Sequence, residues 1–202
     1  MAATRMQAAL EITAGDRITN WARAVDHQAQ SLASVRDSIS VVQWGGPVGC
    51  RDAARPPDTG ERFAAHLDLK DPGASWHTDR TRIVTVAEWL SRVSGVTGKI
   101  GQDIALLAQT DPTAFEISGA GGSSAMPHKQ NPVLAEILIA LARRNASDLS
   151  LMHQAMLHEQ ERSGSAWTLE WMVLPQMLMT TARSLSLADD LCRSIDRMGA
   201  ED

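Results

Sequence analysis

Gly121 to Pro132 reads GGSSAMPHKQNP, the densest run of chemistry-bearing residues in the chain. Two glycines free the backbone, Ser123 and Ser124 place hydroxyls on it, and Lys129 and Asn131 add a cation and an amide. This is loop chemistry aimed at an anion. Asn131 is a good N-cap and Pro132 a good first helical residue, and Val133, Leu134, Ile137, Leu138 and Leu141 then recur at helical spacing. A helix N-terminus therefore opens at the loop, and its unpaired N–H groups and dipole favour a carboxylate, which Lys129 reinforces. Taken alone, Gly-Gly-Ser-Ser is an ordinary surface turn.

The elements that must position this loop are helices. At 202 residues and 44% hydrophobic, the chain can bury a sizeable core in one domain. Nine Met, no Tyr and two Phe, with abundant Ala, Leu, Arg and Gln, predict an all-α long-helix bundle. Thr13 caps a first helix reaching about Ile39, with Ile18, Trp21, Ala22, Val25, Leu32 and Val35 on one stripe. The Gly/Pro turn VVQWGGPVG at Val41 to Gly49 breaks it, and a short helix follows at Glu61 to Leu69. Trp76-His77-Thr78 introduces the next long helix, whose buried stripe is Ile83, Val86, Ala87, Leu90, Val93, Ile100, Ile104 and Leu107. Gly95, Gly98 and Gly101 mark close packing against neighbouring helices. TAFEISGAGG, from Thr113 to Gly122, is expected to form a lid loop. The helix from Pro132 should reach about His158. Ser163-Gly164 opens another, kinked at Pro175, with Leu178, Ala182, Leu185, Leu191 and Ile195 inward and the chain stopping within a helix.

A formal net charge of −5 offers no footprint for nucleic acid. Cys50 and Cys192 lack metal spacing or a disulfide pattern and read as reduced thiols of a cytoplasmic protein. No apolar run has membrane-spanning length, and Met1 to Leu10 lacks a signal-peptide core. His153 and His158 lack the i, i+4 spacing of a helical metal pair, so no metal is expected.

GSSAMPHKQNP resembles the GSSxMPxKxNP signature of the fumarase/aspartase superfamily. The resemblance implies that Ser123 is the catalytic base and that Lys129 and Asn131 bind substrate carboxylate. Thr4, Gln7, Ala9 and Thr13 match a T-H-x-Q-x-A-x-P-x-T block of related enzymes, which implies substrate contacts at Thr4 and Gln7. Arg5 stands where many relatives carry His and adds a carboxylate clamp, while Glu11 replaces the proline. SWHTDRTR is similar to the PWHTQRDR-like stretch of 3-carboxy-cis,cis-muconate cycloisomerases, which places Trp76 and His77 near the site. Arg80 and Arg82 are available to meet substrate charge, with exposed helix-start arginines the default reading. Glu161, Arg162, Trp167, Glu170, Trp171, Leu174 and Pro175 resemble the HERSLGxWxxEWxxLP stretch of the same enzymes, making Arg162 a further carboxylate contact. Adenylosuccinate lyases share the ER and LP letters but usually lack the paired tryptophans.

By resemblance, residues 1–202 are the family's central helical-bundle domain without its N-terminal and C-terminal domains. The partners it implies are a small polycarboxylate substrate and further copies of the chain, as a homo-tetramer whose sites take residues from several subunits. The implied reaction interconverts 3-carboxy-cis,cis-muconate and its carboxymuconolactone in protocatechuate breakdown and needs no cofactor. With the first signature block, a Ser/Thr-rich substrate-binding segment, missing, weak or no turnover is expected. Two alternatives stay open: an adenylosuccinate lyase-like enzyme that releases fumarate, and a non-catalytic helical oligomerisation fragment.

Overall fold

A computed structural model of the chain describes residues 1–110, 114–119, 121–122, 124–126 and 129–199. The chain opens with an exposed hairpin of β1 (Ala3–Thr4) and β2 (Gln7–Ala8), whose turn holds Arg5 and Met6 at φ 50° and 63°. Positive φ at both central residues matches the twist of a two-residue hairpin, at some steric strain for non-glycine side chains. Helix α1 (Ala14–Ile39) follows, capped as expected. Thr13 Oγ1 accepts the Asp16 amide at 3.0 Å, and Asp16 Oδ2 accepts the Thr13 amide at 2.9 Å, which satisfies orphan donors reciprocally.

Helix α2 spans Thr59–His66, and α3 spans Thr81–Thr110. Trp76 and His77 lie just before the latter, as the sequence suggests. Asp79 Oδ1 accepts the Thr81 amide at 3.1 Å, and the Arg80 carbonyl accepts the amides of Ile83 and Val84 at 3.0 Å. Two of its glycines do mark close packing. A Cβ on Gly101 would stand 2.7 Å from the Ala135 carbonyl oxygen, and one on Gly98 would collide with Ala142, whereas Gly95 faces open space.

Helix α4 (Val133–Gln154) ends short of His158, in tight turns where the Met156 and Leu157 amides reach the His153 and Gln154 carbonyls at 3.2 Å. Helix α5 (Gly164–Arg193) is capped by Ser163, whose Oγ accepts the Ala166 amide at 3.1 Å. It is continuous through Pro175, which leaves the Trp171 carbonyl without its helical donor.

Three expectations are corrected. The last described residues are not helical: after Arg193, β6 (Ile195–Met198) pairs antiparallel with β3 (Phe115–Ile117). That pairing also ties down part of the expected lid. Phe115 and Ile117 are buried while Glu116 points out, a period-two pattern too short to stand out in the sequence. Thr113 and Ala120 of that stretch lie outside the described residues. The inward face of α5 also differs: Leu178 and Leu185 are exposed, and Met177, Thr181, Ser184, Leu187 and Leu191 are buried. Thr181 is satisfied on the packed face, its Oγ1 lying 3.2 Å from Ser94 Oγ, whereas Ser184 Oγ is buried there without a hydrogen-bond partner among the described residues.

The chain forms two compact units. One comprises Met1–Gln28, Arg92–Arg144 and Thr180–Asp202, with a core of Trp21, Ile100, Ile104, Phe115, Leu138, Leu187 and Leu191. The other comprises Ala29–Ser91 and Asn145–Met179, with a core of Val84, Ala87, Leu90, Met152, Val173 and Met177. No described helix is long and apolar enough to cross a membrane.

Candidate active site

The motif residues fall into both units. In the first, β4 (Gly121–Gly122) pairs antiparallel with β5 (Gln130–Asn131), bringing Gly121 opposite Asn131. Asn131 does not cap α4. Its Nδ2 donates to the Gly121 carbonyl at 3.1 Å, and the Pro132 carbonyl accepts the first helical amide, from Glu136, at 3.1 Å. The amide of Asn131 thus ties the glycine segment to the helix start. Lys129 is exposed beside it, and its backbone amide closes a turn onto the Met126 carbonyl at 2.9 Å. Ser123 lies outside the described residues.

Lys129 and Asn131 line a cleft of about 670 Å³ together with Gln109, Glu116, Glu136 and Arg197. Arg197 Nη2 is 3.5 Å from Glu116 Oε2 across the β3–β6 pair. The same unit carries Thr4, Arg5 and Gln7, all exposed on the first hairpin, with Thr4 paired to Gln7 and Arg5 at the turn. A second cleft, about 530 Å³ and lined by Arg17, Trp21, Arg92 and Lys99, holds none of the motif residues.

In the second unit the structure gathers Trp76, His77 and Arg162 from distant parts of the chain. The segment before α3 is pinned by Gln43, whose Oε1 accepts the Trp76 amide at 2.8 Å, and by Val42, whose carbonyl accepts the Trp76 indole N–H at 3.0 Å. The segment before α5 is held by Glu159, whose carboxylate accepts the Ser163 and Ser165 hydroxyls. These segments meet where Arg162 Nη2 lies 3.2 Å from His77 Nε2. The Arg162 guanidinium sits 5.0 Å from the Trp167 ring centroid, and Trp167 stacks on Trp171 at 5.6 Å.

Arg80 was expected at the surface and is not there. It is 8% exposed and makes a bidentate pair with Glu170, Nε to Oε2 at 2.9 Å and Nη2 to Oε1 at 2.7 Å. Its guanidinium also lies 5.1 Å from the Trp76 ring centroid. The helical spacing of Glu170 with Val173 and Met177 was the available signal, since it puts the carboxylate on a buried face that requires a cation. Burial, then Arg162 and Arg80, hold the His77 imidazole below its ordinary value. His158 is pushed the same way, by burial and then Arg80, and neither of its ring nitrogens has a hydrogen-bond partner. Among the described residues, no three His, Cys, Asp or Glu side chains gather as a metal-binding group.

Residues 1–145 match a protein family described as lyase. The 3-carboxy-cis,cis-muconate cycloisomerase of Acinetobacter baylyi is 36% identical over 206 residues, covering 97% of this chain and 45% of that protein. The protein of the same name from Pseudomonas aeruginosa is 37% identical, covering 96% of this chain and 43% of its own length. The crystal structure of 3-carboxy-cis,cis-muconate lactonizing enzyme from Pseudomonas putida matches with a TM-score of 0.87 at 33% identity, over 97% of this chain and 44% of that one. The chain therefore spans less than half the length of these relatives. With the serine-loop signature, the helical fold and these similarities in agreement, the chain belongs to the lyase family of the fumarase/aspartase superfamily.

Proposed function

We propose that this chain carries site residues of a cycloisomerase that interconverts 3-carboxy-cis,cis-muconate and its carboxymuconolactone. In the lactonising direction a carboxylate oxygen adds to a conjugated double bond, forming the C–O bond. The π electrons move toward the neighbouring carboxylate as an enolate-like species, and a proton is then delivered to carbon. The reverse is a β-elimination. Both directions need fixed positive charge where the enolate develops and a group that moves one proton.

Arg162 carries this reading. Among the described residues its exposed guanidinium meets an imidazole and an indole but no carboxylate, so its charge is presented outward. Arg80, stacked on a tryptophan in the same way, is neutralised by Glu170 and has no charge to offer. Lys129 and Asn131 supply a second anion-binding patch at the serine loop, and Ser123 is assigned the proton transfer from the motif alone. Oligomerisation of identical chains, with sites drawing on several subunits, belongs to the same proposal.

Ultraviolet assay of the purified protein tests it. Loss of muconate absorbance without fumarate is the expected result. Fumarate release from a succinyl adduct would replace the cycloisomerase with a lyase of the same superfamily, and neither signal would leave a non-catalytic helical module.

A further inference from the structure

The guanidinium of Arg162 is held on two sides. Its face rests on Trp167, which is itself backed by Trp171 in a near-parallel stack with an interplanar angle of 23°. Its edge meets His77 at 3.2 Å. A guanidinium has no acceptor and stays protonated, so Nε2 of His77 is the accepting nitrogen and Nδ1 carries the ring proton. The far side of the ring agrees with a neutral imidazole. Nδ1 is sealed from solvent without a hydrogen-bond partner, and a Cβ at Gly49 would stand 3.1 Å from it. A second proton would have to enter on Nε2, against Arg162.

Every charged group acting on the ring opposes that proton. Arg162 and Arg80 are both cations, and behind the ring Nδ1 faces Gly49, which does not ionise. Glu170, the buried carboxylate nearby, has both oxygens engaged by Arg80.

We infer that His77 is a positioning residue: its neutral imidazole accepts from Arg162, fixes the guanidinium over Trp167 for a substrate carboxylate, and releases it on protonation. Carboxylate capture is then lost on acidification through the His77 titration. A plain electrostatic site would behave oppositely, because an imidazolium adds positive charge and strengthens anion binding. This deepens the reading of Arg162 as a carboxylate contact and rests on it, assigning His77 an effect through Arg162.

Two measurements test it. The first needs no substrate: histidine-labelled NMR on the wild type and on Arg162→Gln. The expected result is an Nδ1–H tautomer at neutral pH and a His77 pKa that rises in the variant, as removal of an adjacent cation requires. An Nε2–H tautomer, or a pKa that does not move, overturns the inference.

The second compares KM and kcat for 3-carboxy-cis,cis-muconate across pH in the wild type, His77→Ala and His77→Gln. His77→Ala should raise KM about 10- to 100-fold with kcat little changed, the loss of one hydrogen bond to a charged group. His77→Gln keeps an acceptor that does not titrate, and should restore most of KM while flattening its acid limb. A His77→Gln enzyme that loses kcat as heavily as His77→Ala at unchanged KM would make His77 a proton-transfer group and sink the positioning role. If the wild type turns nothing over, the kinetic arm speaks to the reaction and not to His77. Calorimetric binding of propane-1,2,3-tricarboxylate and the NMR arm then still decide whether the clasp exists.

Discussion

Arg80 and Arg162 each carry a charge set over a tryptophan, and they differ in burial and in what neutralises them. Arg80 and Glu170 are 8% and 5% exposed, so the pair is sealed from water. Glu170→Ala would strand a buried guanidinium and should destabilise the fold by about 3–5 kcal/mol. Arg162→Gln, at the surface, should leave stability within about 0.5 kcal/mol while weakening carboxylate binding. Urea denaturation of the two variants side by side checks the contrast. A pH effect follows from the imidazoles. His77 and His158 are both depressed below 6.5, each mainly by burial, then by Arg162 for His77 and by Arg80 for His158. A folded value below the unfolded one means that the stability they contribute is complete above about pH 6.5 and is lost as pH falls through the folded values. The urea midpoint should therefore drop between pH 7 and pH 5, and His158→Gln should shallow that slope if His158 contributes. At the serine loop, Ser123→Ala should cost about 10²–10⁴-fold in kcat with binding largely spared, the usual range for a lost acid–base group. Lys129→Ala should raise KM and lower kcat together, because its charge is felt in ground and transition states alike. Steady-state kinetics separate them, and a Ser123→Ala enzyme with near-native kcat would disprove the proton-transfer assignment.

The helices owe their ends to short-range chemistry that can be read in order: Thr13 with Asp16, Ser163 with Ala166, and Asp79 before α3. Their faces are another matter. On α3, the glycines look alike in sequence, yet only Gly98 and Gly101 lie against α4. Gly101→Ala forces a methyl group to within 2.7 Å of a backbone oxygen and should cost about 1–3 kcal/mol. Gly95→Ala meets nothing within 4 Å and should stabilise by about 0.5–1 kcal/mol, the helix penalty that glycine carries. Thermal melts of the two variants should therefore move in opposite directions. The α5 face was misjudged for a related reason. Hydrophobicity favoured Leu178 and Leu185, but the positions that pack include Thr181 and Ser184, whose small side chains allow close approach.

Across the whole molecule, large apolar side chains remain uncovered in a regular order. On α1, Ile18, Val25 and Leu32 are 50%, 38% and 45% exposed. On α5, Trp171, Leu178 and Leu185 are 66%, 48% and 45% exposed. Both series recur every seven residues, the spacing at which one helix seats a seam against another. Copies of the chain should therefore associate through these seams. Light scattering at micromolar concentration should show a homo-oligomer, and Leu178→Glu with Leu185→Glu should dissociate it. A wild type that stays monomeric would count against the association.

The sequence by itself determined the all-α class, the approximate helices and the residues worth testing at the serine loop and at Trp76, His77 and Arg162. It could do so because helical periodicity, caps and motif strings are local, written within a few positions of one another. It did not determine that Arg80 is buried, that Asn131 ties down Gly121, that Phe115 to Ile117 pairs with the segment after α5, or that Arg162 reaches His77. Each of those depends on a partner between 10 and 90 residues away. Burial and charge pairing are properties of what folding brings alongside, and only the tertiary structure decides which neighbour that is.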